Sequence, residues 1–341
     1  MRIVLDAMGS DDCPGPELEA AIQAARDFHD EIILVGPEEP LQQVTASGGS
    51  DKLQVVNAPD VITMEDKGLQ LALKAKRKGS KTSMAVGIDM VKDGQADAFV
   101  TAGNTGGALA TAYYRLGTIP GVERPALTAL FPVKTGYTVV LDIGANPECK
   151  PEHLLQFAIM GSVYASTVRG ISNPRIGLLS NGEEPGKGND LVKESYPLLE
   201  ASNLNFIGNV EGKELFGGQA DVVVTDGFTG NIMLKSSEAV AKLITDILRE
   251  SLMASTRTKV GALLAKPAFT KIRAMLDPAE VGAAPLLGID GLVFVGHGRS
   301  DARAVLNAIR TARQAVEADL LKALRGAIAQ RLSETPIQEQ L

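Results

Sequence analysis

Six short loops in this sequence collect the residue types that hold anions. Asp6-Ala-Met-Gly-Ser-Asp11, Thr101-Ala-Gly-Asn-Thr-Gly-Gly107, Asp142-Ile-Gly-Ala-Asn146, Ser180-Asn-Gly-Glu-Glu-Pro-Gly-Lys-Gly-Asn189, Asp226-Gly-Phe-Thr-Gly-Asn231 and Gly296-His-Gly-Arg-Ser300 each follow a short β-branched run. Glycine lets backbone approach a ligand closely, and a helix starting just past such a loop presents unpaired N–H groups and the positive end of its dipole. In a parallel sheet all six loops emerge at the carboxyl edge, where open α/β sheets hold ligands. Such a rim suits phosphate. For any one loop, Gly, Asn and Asp also make ordinary turns and caps; six in succession argue for a shared site.

Other chemistries find little support. Gly182-Glu-Glu-Pro-Gly-Lys-Gly188 is one residue short of a Walker A loop and has Gly where Ser or Thr would meet magnesium, and no strand ends in G-x-G-x-x-G. His29, His153 and His297 are scattered, without an HExxH or triad signature. Only His297 lies in a candidate loop, and it reads equally as a structural or a catalytic histidine. No dense carboxylate cluster suggests a metal, and Cys13 and Cys149 read as inert small side chains, so no cofactor and no metal are expected.

The elements that must position these loops alternate. Strand patterns at Arg2–Leu5, Glu31–Gly36, Leu53–Asn57, Ala98–Val100, Ala126–Phe131, Tyr137–Leu141, Arg175–Leu179, Asn205–Gly208, Asp221–Thr225 and Leu292–Val295 are separated by helical ones. Leu18, Ile22, Ala25 and Phe28 share one helical face, as do Val305, Ile309, Ala312, Val316, Leu320 and Leu324. This predicts a mainly parallel sheet covered by helices on both faces, in one composite domain over 1–332, with a polar tail at 333–341 that frays.

At 341 residues, 45% hydrophobic and 22% charged, the chain has globular composition. A net charge of −7 with no Trp argues against nucleic acid as a partner. The N-terminus lacks a signal-peptide pattern and no uninterrupted apolar stretch is long enough to span a bilayer, which predicts a cytoplasmic protein with surface attachment to a membrane left open. One segment departs from the alternation: Leu248–Leu276 contains no strand pattern, reads as helices parted at Pro267, and is net +5. A helical protrusion over about 240–278 is expected, either as a solvated helix pair or as a partner surface.

Taken together and in order, LDAMGSD (5–11), TAGNTGGALA (101–110), LDIGANPECKPEHLLQFAIMGSVYA (141–165), GLLSNGEEPGKGN (177–189), NFIGNVEGKELF (205–216), DVVVTDGFTGNIMLK (221–235) and APLLGIDG (284–291) resemble the bacterial phosphate acyltransferases of the PlsX family. The resemblance spans roughly Arg2 to Ala329, with Gly9-Ser10, Gly282-Ala283-Ala284-Pro285 and His297-Gly298-Arg299-Ser300 departing from the usual family loops. It implies a three-layer α/β/α sandwich similar to phosphate acetyltransferases and isocitrate/isopropylmalate dehydrogenase-like folds. It further implies a homodimer, acyl carrier protein and inorganic phosphate as partners, and a place in phospholipid synthesis beside a downstream glycerol-3-phosphate acyltransferase.

In that reaction phosphate oxygen attacks a thioester directly, so no enzyme nucleophile is needed. The site must supply a cradle for a dianion and donors for the tetrahedral oxyanion. Lys187, Asn231 and Asn104 are the expected catalytic groups, with Gly103, Thr105, Asp226, Lys235 and His297 around the phosphate; helix capping is the plain alternative for both Asn residues. Arg257, Lys259, Lys266, Lys271 and Arg273 are expected to meet the acidic carrier protein, and Leu263, Leu264, Phe269 and Met275 to pack on a dimer mate or enter an anionic membrane surface. Competing readings are a phosphate acyltransferase using acyl-coenzyme A, a decarboxylating dehydrogenase, and a non-catalytic scaffold for carrier protein or membrane.

Overall fold

The computed structural model describes residues 1–42, 51–134 and 136–334. Its strands are β1 (Arg2–Asp6), β2 (Glu31–Gly36), β3 (Leu53–Asn57), β4 (Ala98–Thr101), β5 (Ala126–Val133), β6 (Gly136–Leu141), β7 (Ile176–Leu179), β8 (Phe206–Val210), β9 (Val222–Val224), β10 (Ala284–Leu287) and β11 (Val293–Val295). They form one 11-stranded sheet in the order β3-β2-β1-β4-β11-β10-β5-β6-β9-β7-β8.

Successive residues of a strand point to opposite faces, and the core divides accordingly. Ile3, Leu5, Ile32, Leu34, Val139 and Leu141 pack with Phe157 and Ile309 on one face. Val4, Ile33, Val35, Val140 and Val223 pack with Ile88 and Ala108 on the other. Helices therefore cover both faces of the sheet, and the architecture is the expected three-layer α/β/α sandwich.

The direction of the strands corrects one expectation. The joins β11/β10, β10/β5 and β5/β6 are antiparallel. Three reversals leave β6, β9, β7 and β8 running opposite to β3, β2, β1, β4 and β11, so the six loops leave the sheet at two opposite edges rather than at one. The β5/β6 reversal was legible, because only positions 134 and 135 separate the strands and a parallel crossover needs a dozen or so residues. Strand β10 was missed; it is four residues long and contains Pro285, which lacks a ladder donor and counts against a central strand.

The basic segment is helical, as expected, but its breaks differ. Helix Gly227–Met253 is followed by helices Thr256–Leu264 and Lys266–Leu276. The second break falls at Ala265, and Pro267 sits in the first turn of the helix that follows, where its missing N–H forfeits no bond. No described residue from 240 to 270 is buried. The apolar face from Val305 to Leu324 is likewise carried by two helices, Ala302–Glu317 and Leu320–Glu334, parted at Asp319 with φ 53°. Positions 335–341 of the expected tail lie outside the described residues.

Candidate active site

Two loops, one from each half of the sheet, are built alike. Strand β1 ends in Leu5-Asp6 and its parallel neighbour β4 ends in Thr101, before a Gly-rich turn and a helix. Strand β6 ends in Leu141, followed by Asp142, and its parallel neighbour β9 leads through Thr225 into another Gly-rich turn and helix. Both aspartates are buried and hold their loops by accepting hydrogen bonds, Asp6 from Thr101 Oγ1 at 2.8 Å and the Met8 N–H at 3.1 Å. Asp142 accepts from the N–H groups of Leu127, Gly144, Ala145 and Asn146 and from Asn146 Nδ2, at 2.7–3.1 Å. Burial pushes both carboxyls above the ordinary carboxylate range, against the opposing pull of these donors.

Glycines at 227 and 230 let helix Gly227–Met253 sit directly on the Asp142 loop. A Cβ at Gly227 would lie 2.8 Å from Asn146 O, and one at Gly230 only 1.9 Å from Asp142 O. Asp226 caps the helix, its carboxylate accepting from the Thr229 N–H at 2.8 Å and from Thr229 Oγ1 at 2.7 Å. That charge already neutralises the positive end of the dipole. The next residue of the motif, Asn231, is exposed beside Gly144, and its amide has no hydrogen-bond partner among the described residues.

The other helix start is capped differently. Asn104 Oδ1 accepts from the Gly107 N–H at 3.0 Å, while Nδ2 donates to Thr63 O at 3.0 Å and Asp66 O at 3.1 Å. Its whole amide is thus engaged in capping and bridging. Because this cap is neutral, helix Thr105–Leu116 keeps an uncompensated positive end, and the N–H groups of Thr105 and Gly106 find no acceptor among the described residues. Gly103 is a close-approach residue, since a Cβ there would meet Met84 Cε at 2.7 Å.

These helix starts open onto one cavity of about 740 Å³. Thr105, Gly144, Asn231, Lys235, Glu238 and His297 line its polar part, and Leu127, Phe131, Leu234, Ile244 and Phe216 its apolar part. The floor is the face of β5, where the opposed halves of the sheet join, so the cavity takes residues from both carboxyl edges. Lys235 Nζ donates to Glu238 Oε2 at 3.1 Å, and His297 Nε2 lies 3.7 Å from Glu238 Oε1. Desolvation at the cavity lip lowers the His297 imidazole below its ordinary 6.5, with Glu238 pulling the other way, which favours the uncharged ring.

The expected site residues therefore divide. Asn231, Lys235, Thr105 and His297 line the cavity; Gly103, Asn104 and Asp226 shape its loops from behind. Lys187 is exposed on the 180–189 loop after β7 and does not line the cavity. Arg257, Lys259 and Lys266 are exposed on the protruding helices, whereas Lys271 and Arg273 lie on helix Lys266–Leu276 with side chains outside the described residues. Sequence reasoning missed Glu238, and it placed Gly144 in a candidate loop without giving it a role. Glu238 stands three residues after Lys235 in mid-helix, a spacing with no motif of its own, and only β11's position brings His297 to it.

Among the described residues no cluster of three or more His, Cys, Asp or Glu side chains could hold a metal, and no helix is long and apolar enough to cross a membrane.

The molecule is thus an open, mixed α/β/α sheet protein with a part-polar, part-apolar cavity over its central strands. The structure superposes on a phosphotransacetylase from Streptococcus pyogenes with a TM-score of 0.60 at 20% identity, covering 93% of this chain and 94% of that one. It superposes on the EutD phosphotransacetylase from Staphylococcus aureus with a TM-score of 0.59 at 17% identity, again over 93% and 94%. At such identity the likeness shows the fold. In sequence, residues 1–323 match the family model described as fatty acid synthesis protein. The chain is 46% identical over 315 residues to a phosphate acyltransferase from Acidobacterium capsulatum, covering 92% of each. It is 46% identical over 333 residues to one from Elusimicrobium minutum, covering 97% of this chain and 96% of the relative. The chain belongs to this family, the PlsX family of phosphate acyltransferases, and it is an acyltransferase.

Proposed function

We propose that the protein transfers a fatty acyl group from acyl-acyl carrier protein to inorganic phosphate, releasing acyl-phosphate for phospholipid synthesis. The observation that carries this reading is the cavity, which joins a polar end lined by Thr105, Asn231, Lys235 and His297 to an apolar wall in one continuous space. Hydrogen phosphate sits against the free N–H groups of Thr105 and Gly106 with Lys235 nearby. A phosphate oxygen attacks the thioester carbonyl carbon, the C–S bond breaks, and the departing thiolate takes the proton that phosphate loses. The free amide of Asn231 donates to the oxyanion without changing charge. Neutral His297, held beside Glu238, donates to phosphate. Lys187, on the 180–189 loop outside the cavity lining, is kept as a further cation for the same anion, since β7, which it follows, lies beside β9, which leads into the 226–231 turn. The acyl chain lies along β5 toward Phe216.

Val240, Leu243, Ile244 and Ile247 are 54–58% exposed at helical i, i+3, i+4, i+7 spacing, a stripe that we assign to a second copy of the chain in a homodimer. The basic residues of 248–276 then steer the acidic carrier protein, and the protruding apolar tips Leu263 and Leu264 contact an anionic membrane, where the amphiphilic product passes to a glycerol-3-phosphate acyltransferase. The test is to mix pure protein with palmitoyl-acyl carrier protein and phosphate, and to measure free carrier thiol together with hydroxylamine-trappable acyl-phosphate. Turnover with acyl-coenzyme A alone would replace the donor, and none with either would leave a scaffold.

A further inference from the structure

The densest positive charge in the chain lies outside both the cavity and the protruding helices. Residues 67–81 hold Lys67, Lys74, Lys76, Arg77, Lys78 and Lys81 and no Asp or Glu, in a protein of net charge −7. Lys74 is paired with Asp66 at 2.7 Å; among the described residues the other five are in no ion pair, and all five are exposed. Cations at a helix C-terminus are ordinary, since they face the negative end of the dipole, so the charge alone would make no case.

The apolar residues make it. On helix Gly68–Lys76, Leu71 packs inward toward Gly106 and Gly107, while Leu69 and Leu73 stand one turn apart and are 75% and 60% exposed. Tyr114 of helix Thr105–Leu116 is 48% exposed beside them, with Lys76 Nζ 5.7 Å from its ring centroid. An apolar strip bordered by unpaired cations is complementary to an acidic protein with apolar residues on its surface.

Its position assigns the role. The turn that leads into this helix is bonded to Asn104 through Thr63 O and Asp66 O, one residue from cavity-lining Thr105. Met64 of the same turn reaches the loop of His297, where a Cβ at Gly298 would lie 2.6 Å from Met64 Cε. The strip thus borders the cavity on the side of the free Thr105 and Gly106 N–H groups.

We propose that Leu69, Leu73, Lys76, Arg77 and Lys78 dock the acidic carrier protein, whose thioester arm enters the cavity past Met64 and Thr105. This rests on the reading that the acyl donor is carried on an acidic protein. Two variants test it, Lys76→Glu/Arg77→Glu/Lys78→Glu and Leu69→Ser/Leu73→Ser, with folding checked by far-UV spectrum. Each is assayed with an acyl-carrier-protein thioester and with the same acyl group on pantetheine. The expected result is a KM for the carrier thioester raised at least ~10-fold, with the wild-type KM itself rising with salt, and pantetheine-thioester kinetics within about twofold of wild type. An unchanged carrier KM overturns the proposal, as does an equal loss on both substrates or a carrier KM that responds only to reversal of Arg257 and Lys259. Loss of binding to anionic vesicles with normal carrier KM overturns it in favour of a lipid surface. A wild-type protein that turns over the pantetheine thioester but not the carrier thioester overturns the donor reading itself, and this surface with it.

Discussion

Gly230 and Asp142 meet so closely that no side chain fits between them: a Cβ on Gly230 would stand 1.9 Å from the carbonyl oxygen of Asp142. That contact sets where helix Gly227–Met253 begins relative to β6, and so where Asn231 stands against Gly144. In Gly230→Ala the helix start must move outward. The expected outcome is a stability loss of at least about 1–3 kcal/mol from overpacking. Turnover should fall roughly 100-fold if Asn231 is the donor proposed above, because a displacement near 1 Å would misplace it. Thermal melting and phosphate-dependent thiol release measure the two, and normal activity would show that Asn231 is not positioned by this contact.

The two asparagines should separate on substitution. Asn231→Ala removes an amide with no hydrogen-bond partner among the described residues and should lower turnover at least ~100-fold with nearly unchanged melting temperature. Asn104→Ala removes a cap and two bridges, and should lower stability by about 0.5–2 kcal/mol or more. Lys187→Ala should behave like Asn231→Ala, with the loss expressed in the phosphate KM. Wild-type phosphate kinetics in a folded Lys187→Ala would leave the anion to Lys235, His297 and the helix N–H groups.

Asp142 receives donors on both oxygens and, among the described residues, bonds to no acceptor, so the isosteric Asn cannot replace it in either orientation. Whichever way its amide turns, an NH2 meets N–H groups. Asp142→Asn should destabilise the fold by about 1–6 kcal/mol, from one or two buried groups left unsatisfied at ~1–3 kcal/mol each. A denaturant midpoint equal to wild type would mean that this loop is not held through the carboxylate.

The ring of Phe216 closes on Phe131 at 6.0 Å between centroids, at the apolar part of the cavity. Phe216→Ala should admit longer chains. Two further methylenes buried at ~0.8 kcal/mol each correspond to roughly tenfold in selectivity. Competition between thioesters differing by two carbons reads this ratio, and an unshifted ratio would place the end of the chain elsewhere.

Cys149 is a test of local electrostatics. Its burial, and next the charge of Asp142, push its thiol up to about 12. Below pH 9 its thiolate fraction is then about a thousandfold lower than at the ordinary value. Because a more basic thiolate is also more nucleophilic, alkylation should be roughly 30- to 1,000-fold slower than in the denatured chain. Rapid labelling of native Cys149 would contradict that environment.

Most strands could be read from the sequence because period-two and period-3.6 patterns are local properties of the chain. The loops could be read for the same reason: Gly, Asn and Asp declare turns and caps at their own positions. The six cations in residues 67–81 went unread in the sequence, because only the exposure of Leu69 and Leu73 separates that stretch from an ordinary helix end. What the sequence by itself determined was thus the alternating architecture, the phosphate-suited loops and the family. The tertiary structure alone decided which donors are free. Asn104 and Asn231 lie in similar Gly-rich turns, yet one amide is spent on Thr63 and Asp66 and the other is open to the cavity, since hydrogen-bond partners come from segments 41 and 38 residues away. It also decided that two opposed halves of a sheet meet over β5. Pairing direction depends on which strands become neighbours, and the reversals on either side of β10 involve neighbours that no local pattern names.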